Sequence, residues 1–344
     1  MKRYAHLKYK LTQKVALHGC SCKLPRRELY ELLQATGLNK VTDERVLTGV
    51  GDDAGVVKVS RNMAVVQHLD FFTPLIDDPY IQGQIAACNS ASDVFSKGAT
   101  DVIGVLAIIG SPVDMPDHVL KKMVKGFHDH CSTIKAPIVG GHTLLCPWPI
   151  IGGSVVAVTR ISNIVYNSGA KPGDTLFLTK PLGTQPAMGI LRVPLEDQEA
   201  TTKGIPHSII SAAIDKAIEI MTTPNKDAAE AMLEVGVNAA TDVTGFGFLG
   251  QSEIMAKRSC VDIVLHTMPV IRGTIELSNA LGYGLEEGVS AETSGGLLIS
   301  VRREKADLLV SSLERRKIPV CEVGLVKKGT GNAHLLKKPK IIEV

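Results

Sequence analysis

The sequence predicts an α/β protein of two domains, and three observations carry that expectation. Short β-branched apolar runs alternate with helix-like stretches along both halves of the chain. At 344 residues the chain is long enough for about two cores. Between the halves, Asn167-Ser168-Gly169-Ala170-Lys171-Pro172-Gly173-Asp174 gathers turn residues just ahead of a new strand and reads as a linker. The expected division is a flexible leader with one helix over 1–40, an N-terminal domain over 41–165 and a C-terminal α/β domain over 166–344.

Taken in order, a helix is expected around residues 27–33, behind Pro25. Residues 56–59, 63–69, 102–109, 137–139 and 150–159 have the length and branching of buried strands. Residues 81–97, rich in small side chains and stopped by Gly98, read as a helix, as do residues 118–134 behind Asp114 and Pro116. Past the linker the expected order is strand 175–179, helix 206–221 and helix 224–233, the last capped by Thr223 and stopped by Gly236. Strand 238–243, helix 249–257, strand 262–266, more helix, strand 296–301 and helix 304–315 follow. Lys337, Lys338 and Lys340 read as a solvated tail.

Composition narrows the function classes. A hydrophobic content of 44% with 21% charged residues is ordinary for a soluble globular protein. A net charge of +3 and 4% aromatics give no nucleic-acid surface and no base-stacking platform. The apolar stretches fall short of the ~18 residues a spanning helix needs, and no signal peptide is read at the basic N-terminus. Seven cysteines, an odd number and dispersed, suggest a reducing cytoplasmic setting and no disulfide framework.

Chemistry concentrates in two places. Gly19-Cys20-Ser21-Cys22-Lys23 puts two thiols beside an ammonium group, which lowers a thiol's pKa and can also grip a phosphate. A metal clip is the other reading of such a pair, but zinc needs two further ligands, and only His18 is near. Carboxylates then recur where apolar elements end or meet glycine: Asp52 and Asp53, Asp70, Asp93 and Asp242. Each alone could shape a turn or cap a helix. If they converge, their repulsion, about 4 kcal/mol per pair at ~4 Å, calls for a proton or a cation. Oxygen-only ligands suit magnesium, manganese or calcium, and with magnesium phosphates usually fill the remaining sites. Asn89 and Asp93, four apart on one helix, share a face.

Glycine-rich stretches are ambiguous. Gly140-Gly141-His142-Thr143 and Thr293-Ser294-Gly295-Gly296 could expose backbone N–H groups to phosphate or be plain turns. Gly245-Phe246-Gly247-Phe248-Leu249-Gly250 matches a dinucleotide fingerprint in letters only. Asp242 stands where a pyrophosphate would be repelled, and Asp262 begins a strand instead of ending one.

Together these segments, with Asp70-Phe71-Phe72-Thr73-Pro74, Asn89-Ser90-Ala91-Ser92-Asp93, Leu178-Thr179-Lys180-Pro181-Leu182-Gly183 and Thr241-Asp242-Val243-Thr244-Gly245, occur in an order that resembles the selenophosphate synthetases (selenide, water dikinases). These belong to the aminoimidazole ribonucleotide synthetase superfamily. The Asp and Gly motifs are shared across that superfamily, and the thiol-thiol-lysine leader singles out this member. The resemblance implies N-terminal domains pairing through their sheet in a homodimer, nucleotide bound near that interface, and the conversion of ATP, selenide and water to selenophosphate, AMP and phosphate. By the same resemblance Cys20 and Lys23 are catalytic, and Asp53, Asp93 and Asp242 hold Mg2+. Lys23, Val50, Gly51, Asp52, Asp70, Asp93, Gly141, His142 and Thr143 match ATP-binding positions. Leu69, Ala291-Glu292 and Ser21 depart from the residues common in the family, which puts local geometry in question. A thiamine monophosphate kinase-like enzyme of the superfamily, a thiol redox or metal carrier, and a dinucleotide oxidoreductase are the alternative readings.

Overall fold

A computed structural model describes residue 4 and residues 6–344 of the chain. After a leader that includes a short 3-10 turn at Gly19–Cys22, the first half runs α1 (Arg26–Thr36), β1 (Val46–Thr48), β2 (Gly55–Lys58), β3 (Met63–Phe72), α2 (Pro79–Ser96), β4 (Asp101–Ser111), α3 (Asp117–Thr133), β5 (Ile138–Leu145) and β6 (Ile150–Arg160). The second half runs β7 (Asp174–Leu178), α4 (Thr184–Gly189), α5 (Leu195–Thr201), α6 (His207–Thr222), α7 (Lys226–Val235), β8 (Ala239–Asp242), α8 (Gly247–Ser259), β9 (Val261–Val270), α9 (Thr274–Leu281), β10 (Leu297–Arg302), α10 (Ala306–Arg315), β11 (Cys321–Lys328) and β12 (Ala333–Glu343).

Each half builds one mixed six-stranded sheet, ordered β1-β2-β3-β6-β4-β5 and β12-β9-β11-β7-β10-β8. Only the outer pairs β4–β5 and β9–β12 are parallel. Period-two alternation decides which face each side chain takes. In β3, Ala64, Val66, Asp70 and Phe72 are buried, whereas Leu69 and Phe71 are exposed. The buried face packs on α2, which Asp78 caps by accepting the Tyr80 and Ile81 N–H groups at 2.9 and 3.1 Å. The other face carries exposed Leu69, Phe71, Ile103 and Leu106.

The second sheet is covered on both sides. Phe177, Leu297, Ile299 and Val301 pack into the core formed with α6, α7 and α10, while Leu176, Leu178 and Leu298 face Phe248 and Met255 of α8. The first of these cores is continuous with that of α2, so α2 lies wedged between the two sheets.

Three local expectations are corrected. Residues 140–143 form no turn; β5 runs straight through them, and as an outermost strand it tolerates their lack of side-chain packing. Lys337, Lys338 and Lys340 belong to no tail. They sit on β12, an edge strand, where lysine discourages pairing with other chains. The leader segment around Cys20 is packed: Cys20 is 1% exposed, and the Gly19 N–H donates to the Thr73 carbonyl at 3.0 Å.

Candidate active site

The site forms where α2 meets the ends of β3, β8 and β10. Asp53 enters from the turn before β2, Asp93 from α2 and Asp242 from the last position of β8. Their nearest carboxylate oxygens all lie within 4.8 Å of one another. Asp53 and Asp242 are steered by hydroxyls. Thr241 Oγ1 donates to Asp53 Oδ1 at 2.9 Å, Ser96 Oγ to Asp53 Oδ2 at 3.0 Å, and Ser92 Oγ to Asp242 Oδ2 at 2.6 Å. Asp242 Oδ1 is buried without a hydrogen-bond partner. Burial first, then the neighbouring carboxylates, drive Asp93 and Asp242 well above the usual carboxylate range. An unpartnered buried oxygen in an oxygen-only ligand set is what a hard divalent cation such as magnesium would satisfy.

Lys97, wholly buried at the end of α2, offsets part of this charge, with Nζ 2.5 Å from Asp52 Oδ1 and 2.8 Å from Asp53 Oδ2. Asp52 also meets Arg258 of α8 at 3.4 Å and is not one of the three clustered carboxylates. That arrangement ties the Gly51–Asp52 turn to the second half of the chain.

The leader closes over the same place. Lys23 Nζ lies 2.8 Å from Asp70 Oδ2, to which Asn89 Nδ2 also donates at 2.8 Å. Asn89 Oδ1 accepts from the Cys20 thiol at 3.4 Å and from the Ser294 N–H at 2.9 Å, and Thr293 Oγ1 accepts the Cys20 N–H at 3.2 Å. Gly19 adopts φ +56°, and a Cβ there would come within 2.9 Å of Thr293 Oγ1, so glycine is required for the leader to seat. Gly245 likewise leaves room for the chain at Cys20 and Lys23, which accounts for part of the glycine pattern without a dinucleotide.

The expected activation of Cys20 does not hold in this closed arrangement. Burial pushes its thiol up to about 12, and the nearby Lys23 ammonium offsets only part of that. Lys23 itself is shifted upward: burial opposes its charge, but the Cys20 sulfur and the Asp70 and Asp93 carboxylates outweigh it.

Val50 and Asp52 line a cavity of about 450 Å³ with Thr48, Leu69 and Ser154, against the uncovered face of the first sheet. Gly141, His142 and Thr143 are not brought to it. Strand register places Asp70, Gly153, Ala107 and Gly141 in one row across β3, β6, β4 and β5. At ~4.8 Å per strand, Gly141 is about 14 Å from Asp70. Sequence reasoning passed over His68 and Lys97. His68 is two residues before Asp70 and shares its strand face, and Lys97 is one helical turn past Asp93, so each had a periodicity signal.

Comparison with known proteins agrees with this architecture. Residues 51–159 match the N-terminal domain and residues 171–337 the C-terminal domain of the AIR synthase related proteins. A thiamine monophosphate kinase structure from Aquifex aeolicus superposes with a TM-score of 0.66 over 92% of this chain and 100% of that one, at 19% identity. One from Stenotrophomonas maltophilia gives 0.65 over 92% and 98%, at 17% identity. The molecule is therefore a two-domain protein of the AIR synthase related class. Sequence relatives go further. The selenide, water dikinase of Methanocaldococcus jannaschii is 48% identical over 98% of both chains, and that of Methanococcus maripaludis 44% identical over 96% of this chain and 100% of its own. Human selenide, water dikinase 2 is 34% identical over 98% of this chain and 84% of its own. The chain belongs to the selenide, water dikinase family.

Proposed function

We propose that the chain makes selenophosphate from ATP, selenide and water, releasing AMP and phosphate, with Cys20 and Lys23 as its catalytic residues. The observation that carries this reading is the meeting of the Cys20–Lys23 leader with the carboxylates at Asn89 and Asp70. Asp53, Asp93 and Asp242 would hold Mg2+, which, when bound, supplies the positive charge that makes transfer of a phosphoryl group electrostatically feasible.

The remaining work falls to the chain's own groups. Lys23, kept charged and aimed by Asp70, sits where a transferred phosphoryl group needs a cation. The Val50–Asp52 turn and its cavity, whose volume is within the usual range for ligand sites, would take the nucleoside. Cys20 is a soft nucleophile held as a neutral thiol while the leader is shut; lifting the leader rehydrates it and lets Lys23 favour the thiolate. Reclosure then excludes water from the activated phosphoryl group.

A homodimer fits the same reading. The outer face of the first sheet is apolar and uncovered, and Gly141, His142 and Thr143 lie beside it on the β5 edge. A second copy laid against this face would cover the apolar residues and bring its own β5 edge toward the nucleotide cavity. All seven cysteines are free, which supports a reducing, cytoplasmic setting. No helix among the described residues is long and apolar enough to cross a membrane.

The test is turnover with ATP, Mg2+ and selenide, followed by 31P NMR for selenophosphate and AMP. Cys20→Ser is expected to lose selenide-dependent product. Full activity in that variant would remove the thiol from the mechanism, and ADP as sole product would indicate a simple kinase.

A further inference from the structure

A small cavity of about 10 Å³ lies behind the leader, with room for one water or one ion of a single heavy atom. His18 and Ser21 of the leader form part of its wall, and Met188, Arg192, Met221 and Thr293 face them from the second half of the chain. Both walls adjoin Cys20. Ser21 follows it in the chain, and Thr293 Oγ1 accepts its N–H at 3.2 Å. No carboxylate lines this space, in contrast to the Asp53, Asp93 and Asp242 cluster, which would repel a small anion. Arg192 donates to the Tyr283 hydroxyl at 2.9 Å and forms no ion pair among the described residues. His18 Nε2 lies 3.0 Å from the Thr12 carbonyl, and burial, with the Arg192 charge adding to it, pushes the imidazole down. The ring is therefore neutral, and Arg192 is the one cation in the lining. Glu292 reaches the wall at Thr184, and Asp77 acts on His18, but both carboxyls are already engaged. Gly183 and Thr184 donate to the first, and Thr12 and Lys10 meet the second. Met188 and Met221 are buried and contribute two polarisable thioethers.

We propose that this cavity is the holding site for hydroselenide, with Arg192 as its counter-ion and the two methionines as its soft wall. The inference rests on the reading of the chain as a selenophosphate-forming enzyme, and it gives that reaction's selenium substrate a place. Hydroselenide is a singly charged, polarisable anion with one heavy atom and weak hydration, so it loses little on leaving water for such a wall. Phosphate and nucleotides carry several oxygens and more charge, and neither fits a space for one heavy atom. Because His18 and Ser21 form one wall, the leader movement that frees the thiol also uncovers the anion.

Bromide has the electron count of hydroselenide and does not react, which makes it the binding probe. In the full-length enzyme at constant ionic strength it should compete with selenide and not with ATP. In crystals its anomalous signal should fall in the cavity beside Arg192. Arg192→Gln removes the charge but keeps an amide that can donate. It should raise the selenide KM by about ten-fold or more, leave the ATP KM unmoved and abolish the bromide competition. Arg192→Lys should recover part of both. Melting curves of the three proteins control for folding, and if Arg192→Gln does not fold, bromide on wild type decides the matter. A wild-type selenide KM in folded Arg192→Gln, or bromide seated elsewhere, would overturn the site. Cys20→Ser separates the two readings. Selenophosphate lost in Cys20→Ser, with the selenide KM unmoved in Arg192→Gln, leaves the reaction standing and removes the cavity from it. A wild type that seats bromide at Arg192 yet forms no selenophosphate removes the reaction, and with it the assignment to hydroselenide.

Discussion

Glu292 is 1% exposed and accepts the Gly183 and Thr184 N–H groups at 2.7 and 2.8 Å, together with the Thr184 hydroxyl. Burial pushes its carboxyl up to about 7 against the pull of those hydrogen bonds. Because the folded value lies above the unfolded one, the folded state holds a proton that the unfolded state has already lost. The associated stability is complete below the unfolded pKa and disappears as pH rises through 7. Relative to wild type, Glu292→Gln should therefore gain about 3 kcal/mol between pH 5 and pH 8, read from urea unfolding at both values. A difference that stays constant with pH would mean the carboxyl is not displaced. At this scale the residues that the site brings together, Cys20, Lys23, Asp53, Asp93 and Asp242, were legible because they are of unambiguous chemical type. The thiol's protonation was not, since burial of Cys20 depends on residue 293 and no local pattern encodes it.

Among the elements, α2 gathers the most function. Asn89, Ser92, Asp93, Ser96 and its C-cap Lys97 meet ligands or leader, and its buried small residues let it pass between two sheets. Lys97 is the element's own counter-ion, since it faces Asp52 and Asp53 with no solvent access. Lys97→Met would remove the buried cation from Asp53 and leave Asp52 with Arg258 alone. The metal-free protein should lose about 3–5 kcal/mol of stability, with partial recovery on adding Mg2+. Equal melting temperatures for variant and wild type would show that the pair contributes nothing. The helix was predicted to within two residues at its start because small side chains fill it and Gly98 ends it. β5 was cut short because its paired glycines look like a turn, and β12 was lost because lysines on an edge strand resemble a charged tail.

For the molecule as a whole, the unresolved balance lies between a covered and an uncovered sheet. The second sheet has helices on both faces, whereas Leu69, Phe71, Ile103 and Leu106 of the first face outward. If the proposed homodimer pairs through that face, Phe71→Glu should shift it to monomers in sedimentation velocity and weaken ATP binding at the cavity proposed for the nucleoside. A wild type that is monomeric at micromolar concentration would remove the dimer from the account. Two α/β halves were readable from alternation and one linker, but the burial of α2 between them was not. That packing depends on contacts between residues far apart in the chain, and periodicity speaks only for neighbours.

The Cys20 N–H is held by a hydroxyl 273 residues further along the chain. At roughly 5–20 residues per second, synthesis on the ribosome takes about 14–55 s to cover that distance. Throughout this interval the newborn polypeptide carries an early thiol that has no shelter. That thiol is thus at greater risk before the protein is finished than after, and a cell short of reductant should damage it in nascent chains sooner than in mature ones.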